Sequence, residues 1–536
     1  MKRTFALIIA AALMLTATAC GGGTAATTTA APATTAAATT AAATTAATTA
    51  ATTAAPATTA AAQEKPAIKA ALFMVSGRAE SPDSELTKDY IREHWGLSLE
   101  PNLTNDNWQQ KYALLVSSGD IPEISVLPAA NYYEYAAEGA YADLTDLVAS
   151  YPGIMSYTPE NIWPRLRVEN KLYGVPNMNV PGKYNVIYRS DWLEKLSLKP
   201  AETMDEFTEI MRAFTEDDPD GNGQNDTYGF GNYGLQMFYG MFGGAPGFYH
   251  KNDAGKIVIG SVSEGYMNAL KYYKELYDKK YVDPEALTQK SEQFWQKVAQ
   301  GIIGCWVGWW SEYHAPWQNY DFENTQPGGD LVTTFPVKGP GGKSGMVAAD
   351  PLGSVAALSY KIKDLEPFLK FFEWAMGDEG YRVMKYGIEG TYFEMDGNKL
   401  AWLYAHEPER KNRTGNPSGD MEVYSIFQRM DIYTELLMGD TVSQKKSIIG
   451  FNQAVSNPLL YNEFLGLTTE AFQTKMPDIT KYVDEMRIKF ILGDESFDNW
   501  KAYTAEYMRL GGMEVAESLL AAYNAMYGAN AELESY

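Results

Sequence analysis

The order of apolar and polar residues predicts short strands that alternate with amphipathic helices. Short apolar runs, typical of buried strands, are Ile68–Val75, Ile124–Leu127, Val186–Arg189 and Ile302–Val307. Apolar residues that recur with a helical period predict helices at Glu85–His94, Thr203–Phe214, Ser263–Lys279, Leu365–Met376 and, with breaks, Phe497–Tyr527. This alternation indicates an α/β fold whose last third is mainly helical.

The first 19 residues are typical of a secretion signal. Met1-Lys2-Arg3 precede an apolar run from Phe5 to Leu15, which is shorter than the roughly 18 to 20 residues of a membrane span. Small residues then lead to Cys20 and three glycines, as at a bacterial lipoprotein cleavage site. We expect residues 1–19 to be removed and Cys20 to carry the lipid. The alternative is ordinary secretion of a soluble product, and in either case the protein leaves the cytoplasm.

Residues 20–64 are predicted to be the lipidated cysteine and a disordered tether. From Thr24 to Ala62 the chain is almost wholly Ala and Thr, interrupted by Pro32 and Pro56 and without any charge. Such a segment cannot bury enough apolar surface to fold. The remaining chain of about 470 residues exceeds one hydrophobic core of ordinary size, so we expect at least two lobes.

Charge and cysteine content exclude several classes of function. The chain is 45% hydrophobic and 13% aromatic, as in a globular protein, and its formal net charge is -23. This acidity opposes binding to nucleic acid or to an anionic membrane surface, so membrane contact is expected through the lipid anchor only. Beyond Cys20 the one other cysteine is Cys305, in an apolar run, so we expect a buried thiol and no disulfide within the mature chain.

Residues 217–229 follow the oxygen-ligand pattern of an EF-hand calcium loop. The expected ligands, at loop positions 1, 3, 5, 7 and 9, are Asp218, Asp220, Asn222, Gln224 and Asp226. Gly223 stands at the sharp turn. Position 12 is Gly229 and not a bidentate Glu, so water, Thr227 or a group elsewhere must complete the shell, which favours a structural calcium ion. The alternative is a surface turn rich in Asp, Asn and Gly that holds no metal.

Several blocks of the chain resemble one protein family. The most specific are Lys171–Pro176, Tyr188–Leu196, Lys199-Pro200 and Thr203–Phe207, which run into the Asp-Pro-Asp-Gly-Asn-Gly loop; further blocks are Gly301–Trp310, Phe335–Gly342 and the C-terminal helix with Trp500 and Tyr503. In order and spacing they resemble the extracellular solute-binding proteins of carbohydrate ABC transporters, in the branch of oligosaccharide-binding, alginate-binding and LplA-like lipoproteins. The chain departs from the family at Thr227, where members often carry an acidic residue, so calcium affinity is expected to be weaker.

The resemblance implies a two-lobed, type II periplasmic-binding-protein fold, the Venus flytrap, in which a ligand binds between hinged lobes. By that pattern lobe 1 comprises residues 65–180 and 349–400, and lobe 2 comprises residues 181–348, with the calcium loop, and a mainly helical part, 401–536. The crossings between lobes fall near Val175–Val186 and Ala348–Val355. The implied protein is a monomer that passes an oligosaccharide to ABC permease subunits.

Aromatic residues at the end of a predicted strand are the leading ligand contacts, because apolar sugar faces stack on aromatic rings. Trp306, Trp309 and Trp310 lie on or just after that strand, with Tyr313 and Trp317 following. Alternation along a strand places Trp306 and Trp310 on one face and Trp309 on the other, so one is expected in the core. Trp309 is the expected stacking residue.

Two further positions are candidates for the first lobe. Tyr132 and Tyr133 follow a predicted strand and open a helix, which the resemblance places at the cleft rim. Arg78, in the loop after the first strand, is placed to hold a hydroxyl or a carboxylate, although a solvated arginine fits the loop equally well. Arg189 is expected to pair locally with Asp191.

Two other classes of function remain as alternatives. A secreted carbohydrate-active hydrolase or lyase needs a pair of carboxylates, and the 67 acidic residues always supply some pair. Against an enzyme, the four histidines show no His-Glu-x-x-His spacing and the chain has no Gly-x-Ser-x-Gly elbow. An adhesion scaffold explains the tether but not the hinge. The sequence therefore predicts a binding lipoprotein that does not alter its ligand, a sugar or alternatively a peptide, on the extracellular face of the bacterial membrane.

Overall fold

The computed structural model describes residues 67–76, 82–231, 234–316, 320–403, 425–429, 431 and 442–536. The predicted signal segment, Cys20, the tether, Arg78 and Trp317 lie outside the described residues. Within the part that is described, no helix is both long and apolar enough to cross a membrane.

The described strands are mostly short and are numbered here in chain order. They are β1 Ile68–Val75, β2 Leu97–Thr104, β3 Ile124–Pro128, β4 Arg167–Val168, β5 Lys171–Leu172, β6 Gly174–Met178, β7 Tyr184–Arg189, β8 Tyr228–Phe230, β9 Tyr249–Lys251, β10 Ile257–Ile259, β11 Ile303–Trp309, β12 Leu331–Thr334, β13 Met346–Val347, β14 Leu352–Leu358, β15 Phe393–Asp396, β16 Lys399–Trp402 and β17 Leu459–Leu460.

The two longest of the described α-helices lie near the end of the chain. They are Pro82–Trp95, Trp108–Ser118, Ala129–Ala137, Pro152–Ser156, Ser190–Lys195, Met204–Glu216, Gln236–Phe242, Glu264–Asp278, Ser291–Ala299, Phe322–Thr325, Glu366–Met376, Asp378–Tyr386, Val442–Ser456, Glu470–Leu492, Trp500–Arg509 and Gly512–Tyr527. A 3-10 turn at Trp310–Tyr313 directly follows β11.

Two mixed sheets form the framework. The first has five strands in the order β2-β1-β3-β14-β6, in which β1 is parallel to β2 and β3 while β14 is antiparallel to β3 and β6. The second has four strands in the order β12-β7-β11-β8, with β7 antiparallel to β11 and β12. Each sheet has its own apolar core. Leu72, Val355 and Phe371 belong to the first core, and Tyr188, Phe207 and Phe230 to the second.

The chain passes between the two cores at adjacent places. One crossing joins β6, which ends at Met178, to β7, which begins at Tyr184. Another joins β13, which pairs with β17 and packs in the second core, to β14 across residues 348–351. The two crossings are hydrogen bonded to each other, because Asn179 N–H donates to Pro351 O at 2.7 Å and Ala349 N–H donates to Pro181 O at 2.9 Å. Two separate cores joined by paired crossings confirm the predicted two-lobed α/β fold.

The predicted elements agree closely with the observed ones. The helix predicted from Thr203 begins at Met204, with Thr203 as N-cap and Glu206 completing a capping box. Its residues Phe207, Ile210, Met211 and Phe214 are buried, as the helical period requires. The lobe boundaries stay a prediction, and the structure differs from them at Ile426 and Phe427, which pack in the core of the first sheet although the segment 401–536 was assigned to lobe 2.

Candidate functional site

A cavity of about 760 Å³ opens at the two crossings. The crossings contribute Met178–Pro181, Ala349 and Pro351 to its wall. The other walls come from segments far apart in sequence, around Tyr157 and Arg165, around Arg429, and around Tyr461 and Tyr527. A volume of several hundred Å³ is the size of a small-ligand site.

Aromatic rings and amides are mixed along the cavity wall. The rings are those of Tyr157, Phe427, Tyr461, Tyr523 and Tyr527, and the amides are those of Asn161, Asn179, Gln428 and Asn462. Tyr461 is 54% exposed and directly follows β17, and the rings of Tyr523 and Tyr527 lie 5.1 Å apart. The wall can therefore stack a ligand on ring faces and exchange hydrogen bonds with its hydroxyls.

Arg165 is a buried cation whose charge is matched on the second crossing. Its Nη2 donates to both carboxylate oxygens of Asp350, at 3.0 and 2.7 Å. Its backbone carbonyl accepts a hydrogen bond from Tyr133 Oη at 2.8 Å. The guanidinium also packs against the backbone of Gly466, where a side chain would collide with it. The pair thus ties one cavity wall to a crossing.

Arg429, the second arginine of the wall, makes more hydrogen bonds than Arg165 does. Its Nε and Nη2 donate to the two oxygens of Asp431 at 2.8 and 2.7 Å, and its Nη1 donates to Asp378 Oδ1 and to Met376 O, both at 2.9 Å. The face of the guanidinium lies 4.0 Å from the centroid of the Tyr157 ring. Burial opposes the charge of Arg429, but the pairing with Asp431 and Asp378 outweighs it, so the pKa of Arg429 is raised.

Glu463 is a charged group on another wall of the cavity. Its carboxylate accepts from Lys251 Nζ at 2.7 Å and from Tyr523 Oη at 3.2 Å. These contacts orient the Tyr523 ring, which lines the cavity. The hydrogen bond to Glu463 also raises the pKa of Lys251.

The predicted tryptophans have three different environments. Trp306 is fully buried and packs edge-to-face against Phe294 and Trp295. Trp310 is partly buried against Phe451. Trp309 is 48% exposed at the end of β11 and carries Lys183 Nζ 5.2 Å from its ring centroid. The exposed ring lies beside the first crossing but outside the cavity wall, and ligand contact by these tryptophans stays a prediction.

The predicted tyrosines support the fold in this conformation. Tyr132 is fully buried, and its hydroxyl donates to Leu166 O. Tyr313 is buried, and its hydroxyl donates to Leu331 O at 2.9 Å. Tyr133 is partly buried and contacts the cavity indirectly, through Arg165. Ligand contact by these side chains would require surface that Tyr132 and Tyr313 do not present here. By contrast, the predicted pair of Arg189 with Asp191 is confirmed at 2.6 Å.

Glu312, which the sequence did not single out, lies next to the exposed Trp309. It occupies the turn after β11, and its carboxylate approaches Gly308 so closely that a side chain there would collide with it. Burial raises the pKa of Glu312 to about 7, although a hydrogen bond from the backbone of Trp309 opposes the shift.

The family of the chain follows from its sequence profile. The profile described as bacterial extracellular solute-binding protein matches residues 85–382, more than half of the chain. The chain belongs to this family. Its members are binding proteins, so the prediction that the chain is not an enzyme is confirmed.

Similar proteins cover most of this solute-binding protein. Lipoprotein LipO of Bacillus subtilis is 24% identical over 478 residues, which are 85% of this chain and 92% of LipO. The polygalacturonan/rhamnogalacturonan-binding protein YtcQ of the same organism is 24% identical over 75% of this chain and 79% of its own. Among solved structures, the substrate-binding protein FusA of S. pneumoniae in complex with kestose has a TM-score of 0.66 at 18% identity, covering 86% of this chain and 100% of its own. This likeness shows the shared fold.

The predicted calcium loop of the solute-binding protein forms a tight turn. Gly223 has φ 80°, as expected at the sharp turn, and its N–H donates to the Asp218 carboxylate at 3.1 Å. Asn222 Nδ2 donates to Asp220 at 2.8 Å and to Asp226 at 3.2 Å, so these side chains converge. Burial, followed by the nearby carboxylates of Asp218 and Asp226, raises the pKa of Asp220.

The loop meets the needs of calcium only in part. In the described part of the chain, no group of three or more His, Cys, Asp or Glu side chains has metal-site geometry. Thr227 is buried and its hydroxyl donates to Phe214 O at 2.7 Å. Thr227 is therefore a poor choice to complete the shell, which leaves water or a group elsewhere in the fold. Calcium binding by this solute-binding protein stays a prediction.

Sequence reasoning missed the cavity residues because each is weak in isolation. Arg165 follows Trp163-Pro164, and Tyr461-Asn462 follow a short strand, and neither pattern marks a binding site by itself. An available signal was the position of Tyr461 directly after a strand, the same signal that singled out Trp309. The tyrosines of the last helix, Tyr523 and Tyr527, are four residues apart and share one helix face.

Proposed function

We propose that the protein captures an oligosaccharide in the cavity at the crossings and delivers it to the permease of an ABC importer. The observation that carries the proposal is the cavity itself, which is open at the place where two lobes meet and combines tyrosine rings with amides. Neither an apolar ligand nor a metal ion needs that mixture, whereas a sugar has apolar faces and a rim of hydroxyls.

The names of relatives support a sugar as ligand. FusA was solved with kestose, YtcQ is named for polygalacturonan and rhamnogalacturonan, and a further structural neighbour with a TM-score of 0.64 is an alginate-binding protein. All three ligands are carbohydrates, although they differ in charge and linkage. We therefore propose a carbohydrate as the ligand of this chain. The charge and the linkage of the relatives' ligands are not carried over.

Lobe closure is the proposed capture step. The walls around Tyr157 and Arg429 pack with the first core, whereas Phe464, next to the cavity residues Glu463 and Leu465, packs in the second. A ligand held by both walls favours the closed state over the open one, because only closure makes both sets of contacts. The permease then has two states to distinguish.

The proposal is tested with purified protein and a panel of oligosaccharides. A bound sugar is expected to raise the melting temperature and to reduce the radius of gyration in small-angle scattering, with a mass of one chain throughout. A panel of di- to tetrapeptides serves as the comparison. If peptides shift both quantities and sugars shift neither, the chain is a peptide-binding protein. Hydrolysis of a bound sugar would contradict capture without chemistry.

We further propose a structural calcium ion in the loop 218–229, held by Asp218, Asp220, Asn222, Asp226 and the backbone of Gln224. One neighbour is described as an EF-hand mutant of FusA, which supports calcium in relatives. Binding needs the Asn222 amide turned so that its oxygen faces Asp220 and Asp226. Removing calcium is then expected to lower the melting temperature, by an amount equivalent to about 2.7 kcal/mol at a calcium concentration of 100 Kd. Asp220→Asn should abolish the effect of chelation, and an unchanged melt of the wild type would contradict the ion.

The proposed location is the outer face of the cell membrane, with Cys20 as the lipid-bearing residue. Cys20→Ala is expected to abolish attachment of the lipid, because the thiol that carries it is then missing. Incorporation of a labelled fatty acid into the variant would contradict a lipid anchor at this position.

A further inference from the structure

We propose that the captured ligand is an uncharged oligosaccharide and not a uronate. This inference rests on the proposed function, because it concerns the chemistry of the same cavity. It separates relatives whose names differ on this point, since polygalacturonan is acidic and kestose is neutral. The reason lies in how the charges of the cavity wall are already matched.

Recognition of a uronate needs a cation that can turn to the ligand carboxylate. A bidentate guanidinium is the strongest form of this contact. Two arginines line the cavity, Arg165 and Arg429. Both are nine-tenths buried or more, so their donors are aimed by the protein and not by solvent.

Each of these arginines already faces a carboxylate of the chain. Arg165 meets Asp350 through one nitrogen at 2.7 Å, on the second crossing. Arg429 donates from Nε and Nη2 to Asp431 and from Nη1 to Asp378. At Arg429 a ligand carboxylate would have to displace Asp431 or Asp378. At Arg165 it would meet a guanidinium whose Nε is buried and whose Nη2 is already bonded to Asp350.

The balance of the surrounding charges is negative. Lys251 pairs with Glu463 at 2.7 Å, so the third cation near the wall is also matched. Among the described residues at this cavity and their partners, the cations Arg165, Arg429 and Lys251 face four carboxylates, those of Asp350, Asp378, Asp431 and Glu463. The whole chain adds a net charge of -23. A uronate therefore meets repulsion where it needs attraction.

Lys183 does not change this balance within the cavity. Its ammonium lies over the ring of Trp309, outside the cavity wall, and burial lowers its pKa. Hydroxyl groups, by contrast, suit a wall of paired charges, because a paired carboxylate retains lone pairs beyond its partner, and a hydroxyl can donate to them whereas a ligand carboxylate cannot. Neutral sugars gain these contacts without disturbing the pairs.

The first experiment uses matched probes. Trigalacturonate and its full methyl ester share one skeleton and differ in charge, and they are measured by calorimetry beside uncharged gluco-, fructo-, galacto- and xylo-oligosaccharides of two to five units. We expect binding among the uncharged sugars, and binding of trigalacturonate weaker than that of the ester by about tenfold or more, because the carboxylates around the cavity repel an anionic ligand. Trigalacturonate binding more tightly than its ester would overturn the inference and leave sugar capture standing. No binding by any sugar would overturn both.

The second experiment frees one arginine. Asp431→Asn removes the carboxylate that accepts from Nε and Nη2 of Arg429. The affinity for trigalacturonate is then expected to rise about tenfold. It is measured by competition with a bound uncharged sugar. Glu209→Gln is the matched control, because it removes the same charge from a surface pair with Arg212 far from the cavity. An Asp431→Asn protein that still binds the uncharged sugar but gains no affinity for trigalacturonate would contradict the inference.

Discussion

Two aromatic regions lie beside the crossings, and they use their rings differently. At the end of β11, Trp306 contacts Phe294 and Trp295, and Trp310 contacts Phe451, so most ring surface is covered by other rings. In the cavity wall, the rings of Tyr461 and Tyr527 retain open surface. The first region has more tryptophan and the second has more accessible ring surface.

This difference teaches that a binding wall needs ring faces that the fold has left uncovered. The polar groups differ in the same way. Near the end of β11 two charged groups, Glu312 and Lys183, are shifted in pKa by burial. In the cavity, charges are paired and amides stand between rings. We therefore expect the β11 region to stabilise the fold and the cavity to bind the ligand.

The largest expected effect is the loss of the buried ring at β11. Trp306→Ala is expected to reduce the free energy of unfolding by about 3–5 kcal/mol, because a fully buried large side chain leaves a cavity among Phe294 and Trp295. Urea denaturation measures the change. A loss below about 1 kcal/mol would mean that the β11 region is not a core.

The next effect concerns Glu312 and pH. Its folded pKa of about 7 lies above the usual value of about 4.3 for an unfolded Glu. The folded state therefore binds more protons than the unfolded state between these values, and stability falls as pH rises through this window. Glu312→Gln is expected to remove this fall and to stabilise the protein by about 2 kcal/mol above pH 7. Melting temperatures from pH 4 to 8 test it, and parallel curves for the two proteins would contradict the buried acid.

A smaller effect is expected in the cavity, on affinity and not on stability. Tyr461→Ala should weaken binding of an uncharged oligosaccharide about tenfold, because an exposed stacking face is lost. Tyr461→Phe keeps the ring and is the matched control. Calorimetry measures both variants. Equal affinities of the alanine variant and the wild type would exclude Tyr461 as a stacking residue.

The smallest effect is expected at Trp309, the exposed ring of the β11 region. Trp309→Ala should change both stability and affinity by less than about 0.5 kcal/mol, because half of the ring is solvated and it lies outside the cavity wall. The same calorimetric and urea measurements apply. A larger loss of affinity than that of Tyr461→Ala would place the ligand on the end of β11 and reverse the comparison.

The elements of the fold were predictable because their causes are local. Thr203 and Glu206 cap a helix whose apolar period is complete within its own residues, and the run Ile68–Val75 is a strand with those bounds. One long helix, Glu470–Leu492, was not predicted, and Pro477 interrupts its hydrogen bonding. Local patterns therefore predict elements well where no residue conflicts with them.

The cavity was not predictable in the same way, because its residues meet only in the folded chain. Arg165 pairs with Asp350 across 185 positions of sequence, and no local pattern records that contact. The exposure of Trp309 agrees with its predicted place at a strand end, yet its neighbour Trp306 is fully buried. Residue type alone therefore does not tell which of these two tryptophans is exposed and which is buried.

The absence of a side chain at Gly466 lets Arg165 pack closely against the backbone. The guanidinium of Arg165 rests against it, and residue 466 has φ 75°, a conformation that side chains disfavour. A methyl group at this position would collide with the guanidinium of Arg165, so Gly466→Ala is expected to move the segments of Arg165 and Gly466 apart. If the proposed lobe closure brings these two segments together, Gly466→Ala is expected to disfavour the closed state, and the empty form can then be studied without removing any residue of the cavity wall.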